Sequence, residues 1–514
     1  MSRVLERHAR YYLNYSQAHP EDRVWFDAEW PQIQRAWSWV ADTSCDDTLV
    51  VDYARAVLPF QERRDLWSEA IAWGEQALPA IRTLGDRRSE IFVLSRLGSA
   101  YYHLGQLRRA LELHGRCLEI ARDIGERSAE GAALGGQASS YLHLGEARTA
   151  ESFFQRQLEI ARENGDHHSE ASALRGLGVA NFDLGAFRNA LQFYEQALEI
   201  YREFGSRRNE GVVLGNIGNA YAVLRELRTA IGYYTSALAI AREVGDRVLE
   251  GTTLGNLGIA HKNLGKMRAA IEFYEQALIL HREIGHRHGE GLDLCNLGIA
   301  YTKLGEIPAA IDFTRHYLRI AREMGDRRNE GSALGNLGES YCALGQFHTA
   351  IDLCQQSLAI ARETGNRYSE GNALNNLGEA YVGLGEFRTA IDLYQQALAV
   401  AREIGNRGNE SETLAGLGKA YTASGEFRAA IRSYEQALAI ASEIDDRRLK
   451  VVISWDLGET HAKMGEYARA AELMQARVDY EHKVGHADAE KHAARLEEVR
   501  GKAAMEKSDM RRSN

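Results

Sequence analysis

Three histidines, His281, His286 and His288, make the one local cluster of nitrogen ligands in the sequence. A structural zinc needs four cysteine, histidine or carboxylate ligands at close spacing, and no cysteine or carboxylate stands at ligand spacing beside these three. The stretch therefore reads as a solvated linker, with His286 standing where comparable segments carry aspartate. The five cysteines, Cys45, Cys117, Cys295, Cys342 and Cys354, are far apart and contain no C-x-x-C pair, which argues against a disulfide framework. Cys342 and Cys354 read as small core residues. Lys266, Lys419 and Lys502 each follow a glycine, but they lack the leading glycine and the hydroxyl residue of a phosphate-binding loop. There is no HExxH, no GxSxG elbow and no dinucleotide fingerprint between a strand and a helix. No nucleophile stands beside a base, so the chain reads as non-enzymatic, with no metal and no cofactor expected.

Recognition chemistry is better represented. Asn216, Asn256, Asn296, Asn336 and Asn376 recur at a spacing of 40 residues, each one position before an apolar residue and mostly behind a small one: Gly215, Gly255, Cys295, Gly335 and Asn375. A primary amide carries both donors and an acceptor, so such a ladder suits the peptide groups of an extended chain whatever its side chains. The same amides could equally bond to the neighbouring repeat and fix the stacking. One helical turn further on stand Asn219, Ile259, Ile299, Glu339, Glu379 and Lys419. This order describes a groove that passes from neutral to acidic and reverses sign at its end, suited to a partner apolar at one end and basic at the other. A stripe of arginines, Arg108, Arg148, Arg188, Arg228, Arg268, Arg388 and Arg428, reads as solvated helix surface.

The elements that must hold these residues follow from the period. Gly85, Gly125, Gly165, Gly205, Gly245, Gly285, Gly325, Gly365 and Gly405 share one column at 40-residue spacing, and Ala110 recurs in register to Ala470. Within one unit, Leu254, Leu257, Gly258 and His261 fall at helical spacing, Gly265 interrupts, and Met267, Ala270, Ile271, Tyr274, Ala277 and Leu278 resume at i, i+3, i+4, i+7. Each unit is thus a helix, a turn and a second helix. Gly285 is expected in the left-handed conformation after the second helix, and Asp246, Asp326 and Asn366 are expected as N-caps. Glu250, Glu330 and Glu370 lie four residues beyond these caps, one too many for a capping box. Gly258 and Ala277 allow close approach and Tyr274 fills the gap between helices, while Thr314 and Tyr317 exchange the large and small positions in one unit, a compensated packing. No unit can bury its apolar stripe alone, so the units must stack as a solenoid.

The order Leu254, Leu257-Gly258, His261 (elsewhere Tyr221, Tyr301 and Tyr341), Ala270, Tyr274 and Ala277 resembles the tetratricopeptide repeat (TPR), and the 40-residue spacing with AREVGDR-like linkers is similar to the Pins/LGN polarity adaptors. The resemblance covers residues 86–485 as ten units, with a degenerate unit before them (Trp67, Ala70, Ala77, Gly85). It implies an all-α right-handed superhelix of about 10–11 helical hairpins whose first helices line a concave face. It places the asparagine ladder on that face. Where the family usually has a proline, Arg202, Arg242 and Arg322 stand here, which implies a longer second helix.

The ends differ in composition. Six of the seven tryptophans and four of the five prolines precede residue 80. The expected organisation is an N-terminal helical cap over 1–45, a repeat array over 46–485 (degenerate at 46–85, regular at 86–485), and a C-terminal capping helix with a disordered tail over 486–514. The RHARYYL start with Ile33, Ala36 and Trp37 resembles the segment before the repeat sensor of STAND-type signalling ATPases. A net charge of −10 without a basic run argues against nucleic acid. No apolar run suggests a secretory signal or membrane insertion, and the unpaired cysteines fit the cytoplasm. The reading is a scaffold binding a protein or peptide along the concave face. The alternatives are a sensor arm for an ATPase or peptidase encoded elsewhere, and a self-assembling homo-oligomer.

Overall fold

The computed structural model describes residues 2–20, 22–42, 46–64, 66–484 and 488–513; Cys45 lies outside them. Among these residues the structure is all-helical, with 25 helices packed as consecutive hairpins of an α-solenoid. Four helices come first: α1 (Ser2–Ala18), α2 (Arg23–Asp42), α3 (Asp47–Arg63) and α4 (Trp67–Leu84). Regular hairpins follow: α5 (Arg87–His103) with α6 (Leu107–Asp123), α7 (Arg127–His143) with α8 (Ala147–Asn164), α9 (His167–Asp183) with α10 (Phe187–Glu203), and α11 (Arg207–Val223) with α12 (Leu227–Val244). Next are α13 (Arg247–Asn263) with α14 (Met267–Glu283), α15 (Arg287–Leu304) with α16 (Ile307–Glu323), and α17 (Arg327–Ala343) with α18 (Phe347–Glu363). The last are α19 (Arg367–Leu384) with α20 (Phe387–Glu403), α21 (Arg407–Ser424) with α22 (Phe427–Glu443), α23 (Arg447–Lys463) with α24 (Tyr467–Val484), and the single α25 (Ala489–Ser513). The chain forms two compact units, residues 1–249 and 250–514.

Local chemistry explains the hairpins. Asp246 accepts the Leu249 N–H at 3.0 Å, Asp326 that of Asn329 at 3.0 Å and Asn366 that of Ser369 at 3.1 Å, so the capping residues act as the sequence requires. The turn columns are left-handed (Gly265 φ 77°, Gly285 φ 69°), and where glycine is missing, at Arg225 and Asp445, φ stays at 65° and 52°. The turn geometry therefore belongs to the repeat and not to the residue. A Cβ on Gly258 would lie 2.4 Å from the Tyr274 ring, so the glycine is there for close approach. In the unit that departs from the pattern, Thr314 and Tyr317 are both buried and the Thr314 hydroxyl donates to the Ala310 carbonyl at 2.7 Å, which leaves no polar group stranded by the exchange.

At the amino-terminal end, Trp37 stacks on Trp73 (4.7 Å, 11°), Trp30 also stacks on Trp73 (5.6 Å, 14°), and Phe26 stacks on Phe60 (4.3 Å). The Trp37 indole N–H donates to Gln76 Oε1 at 2.8 Å. The early aromatics thus form one core through α2, α3 and α4. At the other end Leu496 and Val499 of α25 bury against Trp455, Met474 and Val478. Its Ala-, Glu- and Lys-rich sequence carries the helix through all but the last residue of the segment expected to be a disordered tail.

The arginines in the family's proline column have a clear task. Arg202 Nε donates to Glu210 Oε1 at 2.9 Å, Arg207 Nη1 donates to Glu210 Oε2 at 2.5 Å, and Arg207 Nε continues to Glu243 at 3.0 Å. One buried glutamate therefore ties the preceding second helix to its own first helix, and the chain of pairs runs on to the following second helix. The same Arg–Glu–Arg arrangement recurs at Glu90, Glu130, Glu290, Glu330, Glu370 and Glu410. This is why the glutamate stands four residues beyond the cap. For Glu370, burial alone would raise the pKa, but Arg362 and Arg367 outweigh it and hold the carboxyl below its usual 4.5. The stabilisation is therefore present above pH 4.5 and is lost as pH falls through the lower folded value. E370A is expected to cost about 1–2 kcal/mol at pH 7, discounted because both guanidiniums are half-exposed. That cost should shrink below pH 4, as read from urea denaturation at the two pH values.

Candidate functional site

Within each unit the first helices of consecutive hairpins touch one another, as α5 touches α7, α15 touches α17, α17 touches α19 and α19 touches α21. Among the described residues their second helices make no comparable contact. Helices that lie closer together form the inside of a curve, so in each unit the first helices line the inner face. The asparagine column lies on these helices.

The five amides are half-buried, and the stack uses part of their capacity. Asn376 Nδ2 donates to the Gly335 carbonyl of the preceding repeat at 3.1 Å, and Asn336 Nδ2 approaches Cys295 Sγ at 3.6 Å. Each of these two amides gives one N–H to the repeat before it, and one N–H and the acceptor oxygen remain. Asn219 is committed inward, because its Oδ1 accepts the Tyr234 hydroxyl at 2.7 Å. Asn375 is also engaged, since its Oδ1 accepts from the buried Thr413 hydroxyl at 2.9 Å. In the last hairpin the ladder position holds Asp456, which pairs with Lys419 Nζ at 3.4 Å. The sign reversal expected from Lys419 is thereby neutralised.

Glu339 and Glu379 face solvent and enter no ion pair, although most acidic groups near the outer rim are paired. Glu339 exposes surface yet has protein around most of it, as a residue on the floor of a trough does. Burial first, and then the Glu379 charge, push its carboxyl above the ordinary range. The end of the trough expected to be neutral is not. Beside Ile259 and Ile299 stand half-buried Lys262 and exposed Lys303, and burial followed by the Lys303 charge lowers the Lys262 ammonium. Glu459 is covered by α25, whose Arg495 binds it bidentately at 2.9 Å on both oxygens.

The histidine cluster also differs from expectation. His281 is buried, and its Nδ1 lies 2.6 Å from Oδ2 of the equally buried Asp293, while its Nε2 has no hydrogen-bond partner. Only His288 is fully exposed. The two members of the pair are twelve residues apart and stand where other units hold alanine (Ala321 and Ala361; Ala333 and Ala373). The solvated-linker reading therefore fails for His281: its ring fills space left by Gly251 and Gly289, where a Cβ would approach within 2.5–2.7 Å. Among the described residues no group of three or more histidine, cysteine or carboxylate side chains could hold a metal ion, and no helix is long and apolar enough to cross a membrane. The arginine stripe Arg108, Arg148 and Arg188 is exposed. A surface cavity of about 620 Å³, lined by Gly145, Glu146, Arg148, Thr149 and Asp183, lies at the α7–α8 turn, away from the ladder.

The fold recurs in solved structures. The apo form of RapI is 14% identical with a TM-score of 0.55, over 69% of this chain and 98% of RapI. The apo form of the quorum sensor NprR from B. thuringiensis is 14% identical with a TM-score of 0.51, over 70% of this chain and 99% of NprR. A STAND protein with a tetratricopeptide repeat sensor from Pyrococcus horikoshii is 18% identical with a TM-score of 0.48, over 74% of this chain and 52% of that one. No curated protein matches the chain. The tetratricopeptide repeat model matches residues 60–123, 130–203, 210–282, 260–323, 329–403, 394–443 and 409–479. With those matches spanning most of its length, the chain belongs to the tetratricopeptide repeat family.

Proposed function

We propose that the chain is a non-catalytic binding module that captures an extended polypeptide on the inner face of its repeats, with Asn256, Asn296, Asn336 and Asn376 gripping the backbone and Glu339 and Glu379 reading basic side chains. Within residues 1–249, Asn216 holds the corresponding ladder position on α11, whereas Asn219 is bonded to Tyr234. The observation that carries this reading is the unpaired state of Glu339 and Glu379 on a face where Asn336 and Asn376 keep one N–H and the acceptor oxygen. Charges left unpaired in a trough are unfavourable for the free protein and become favourable only when a ligand supplies the opposite sign. The amides' bonds to the preceding repeat hold them in place, so less freedom is lost on binding. A quorum sensor on the same fold supports a signalling role for such a groove.

The test is selection of a phage-displayed random peptide library on the full chain, followed by titration of the enriched peptides. N256A/N296A/N336A is expected to weaken them by at least about tenfold, which corresponds to roughly 1.4 kcal/mol, with unchanged circular dichroism. Equal affinity for the triple variant would show that the ladder serves only the stacking. Light scattering over a concentration series should find the chain monodisperse without ligand; growth with concentration would favour self-assembly instead.

A further inference from the structure

Among the described residues, Lys262 on α13, Lys303 on α15, Glu339 on α17 and Glu379 on α19, on the inner face of residues 250–514, enter no ion pair. They are sorted by sign. The two lysines are electrostatic neighbours, as are the two glutamates, and Lys303 is close enough to Glu339 to oppose the effect of Glu379. Like charges set side by side repel, and a fold selected only for stability would intersperse them, as the outer Arg–Glu–Arg clamps do. Further along, Lys419 pairs with Asp456, Glu412 with Arg448 and Glu459 with Arg495. The trough therefore presents one positive and one negative patch in series.

Resting on the peptide-binding reading above, we propose that this trough takes a bipolar segment, one acidic block and one basic block, and reads the distance between them. The acidic block sits on Lys262 and Lys303, the basic block on Glu339 and Glu379, and Asn296 and Asn336 hold the backbone between. The spacing follows from the fold. Contacting helices lie about 10 Å apart, so the centres of the two patches, two first-helix steps apart, are separated by about 20 Å. At about 3.3 Å per residue an extended chain covers this in roughly six residues.

The experiment uses the full chain and fluorescent synthetic peptides read by anisotropy. One peptide carries an aspartate block and a lysine block whose centres are about six residues apart; an isomer of identical composition has the blocks adjacent; two others carry only aspartates or only lysines. The spaced peptide is expected to bind at least about tenfold more tightly than the adjacent isomer, with affinity falling as salt rises. E339K/E379K is expected to lose the spaced peptide by at least about tenfold and to gain the all-aspartate one, and K262E/K303E the reverse with the all-lysine one. Equal binding of the spaced and adjacent isomers, or pair reversals that leave both affinities within about twofold, overturns the bipolar reading while leaving a peptide groove. Failure of these peptides and of the library-selected ones overturns both.

Discussion

H281A is expected to cost about 3–5 kcal/mol of stability and D293A about 1–3 kcal/mol, while the double variant H281A/D293A should cost less than H281A alone. The histidine and the aspartate are both buried at a separation of 2.6 Å. Removing His281 strands a carboxyl group whose pKa burial already raises. That group must then take up a proton or remain charged without a partner. Removing Asp293 strands an imidazole whose other nitrogen already lacks a partner. Removing both restores the alanine pair that other units carry at these columns. A double-mutant cycle from urea denaturation at pH 7 should give a coupling of at least about 2 kcal/mol, and simple additivity would show that the pair contributes nothing. The sign of the pH effect is a second check. With Asp293 raised in the folded state, the unfolded chain releases its proton first as pH rises above about 3.8, so the penalty of H281A should be larger at pH 7 than at pH 4.

H114F should flatten the acid side of the stability profile. His114 occupies the column that holds Phe154, Tyr194 and Tyr234 elsewhere, packed against Gly98 and Gly136, where a Cβ would lie 2.6–2.7 Å from the ring. Burial pushes its pKa from 6.5 down to about 4. The native state therefore holds a neutral ring while the unfolded chain protonates first as pH falls. Stability is complete above pH 6.5 and is lost progressively toward pH 4, by about 2.5 kcal/mol at pH 4.5 from this one group. Guanidinium denaturation of the wild type and H114F at pH 7 and pH 4.5 isolates the effect, because the glutamate clamps contribute equally to both proteins. An identical loss in the two would mean that His114 is charged in the folded state.

The two predictions concern residues that the sequence marks unequally. His114 stands visibly in an aromatic column, and its burial follows from its register. The His281–Asp293 pair could not be read in advance, because twelve residues and a helix turn separate its members; only the packing of the second helix of one hairpin on the first helix of the next brings them together. The one signal was the simultaneous loss of alanine from two columns.

By itself the sequence determined the helices, the turns, the caps and the pairing of Gly258 with Tyr274. These are local matters: a repeated pattern of apolar, small and capping residues specifies hairpins wherever it occurs, and stacking is the one way such hairpins can bury their stripes. Tertiary structure decided which polar groups are spent. It assigned the glutamate after most caps to two arginines from different helices, gave one N–H of Asn336 and Asn376 to the preceding repeat, closed Asn219 with Tyr234, and left Lys262, Lys303, Glu339 and Glu379 without ion pairs. Periodicity gives the face on which a side chain lies, whereas the availability of its hydrogen bonds and charge depends on the angle and offset at which successive helices meet.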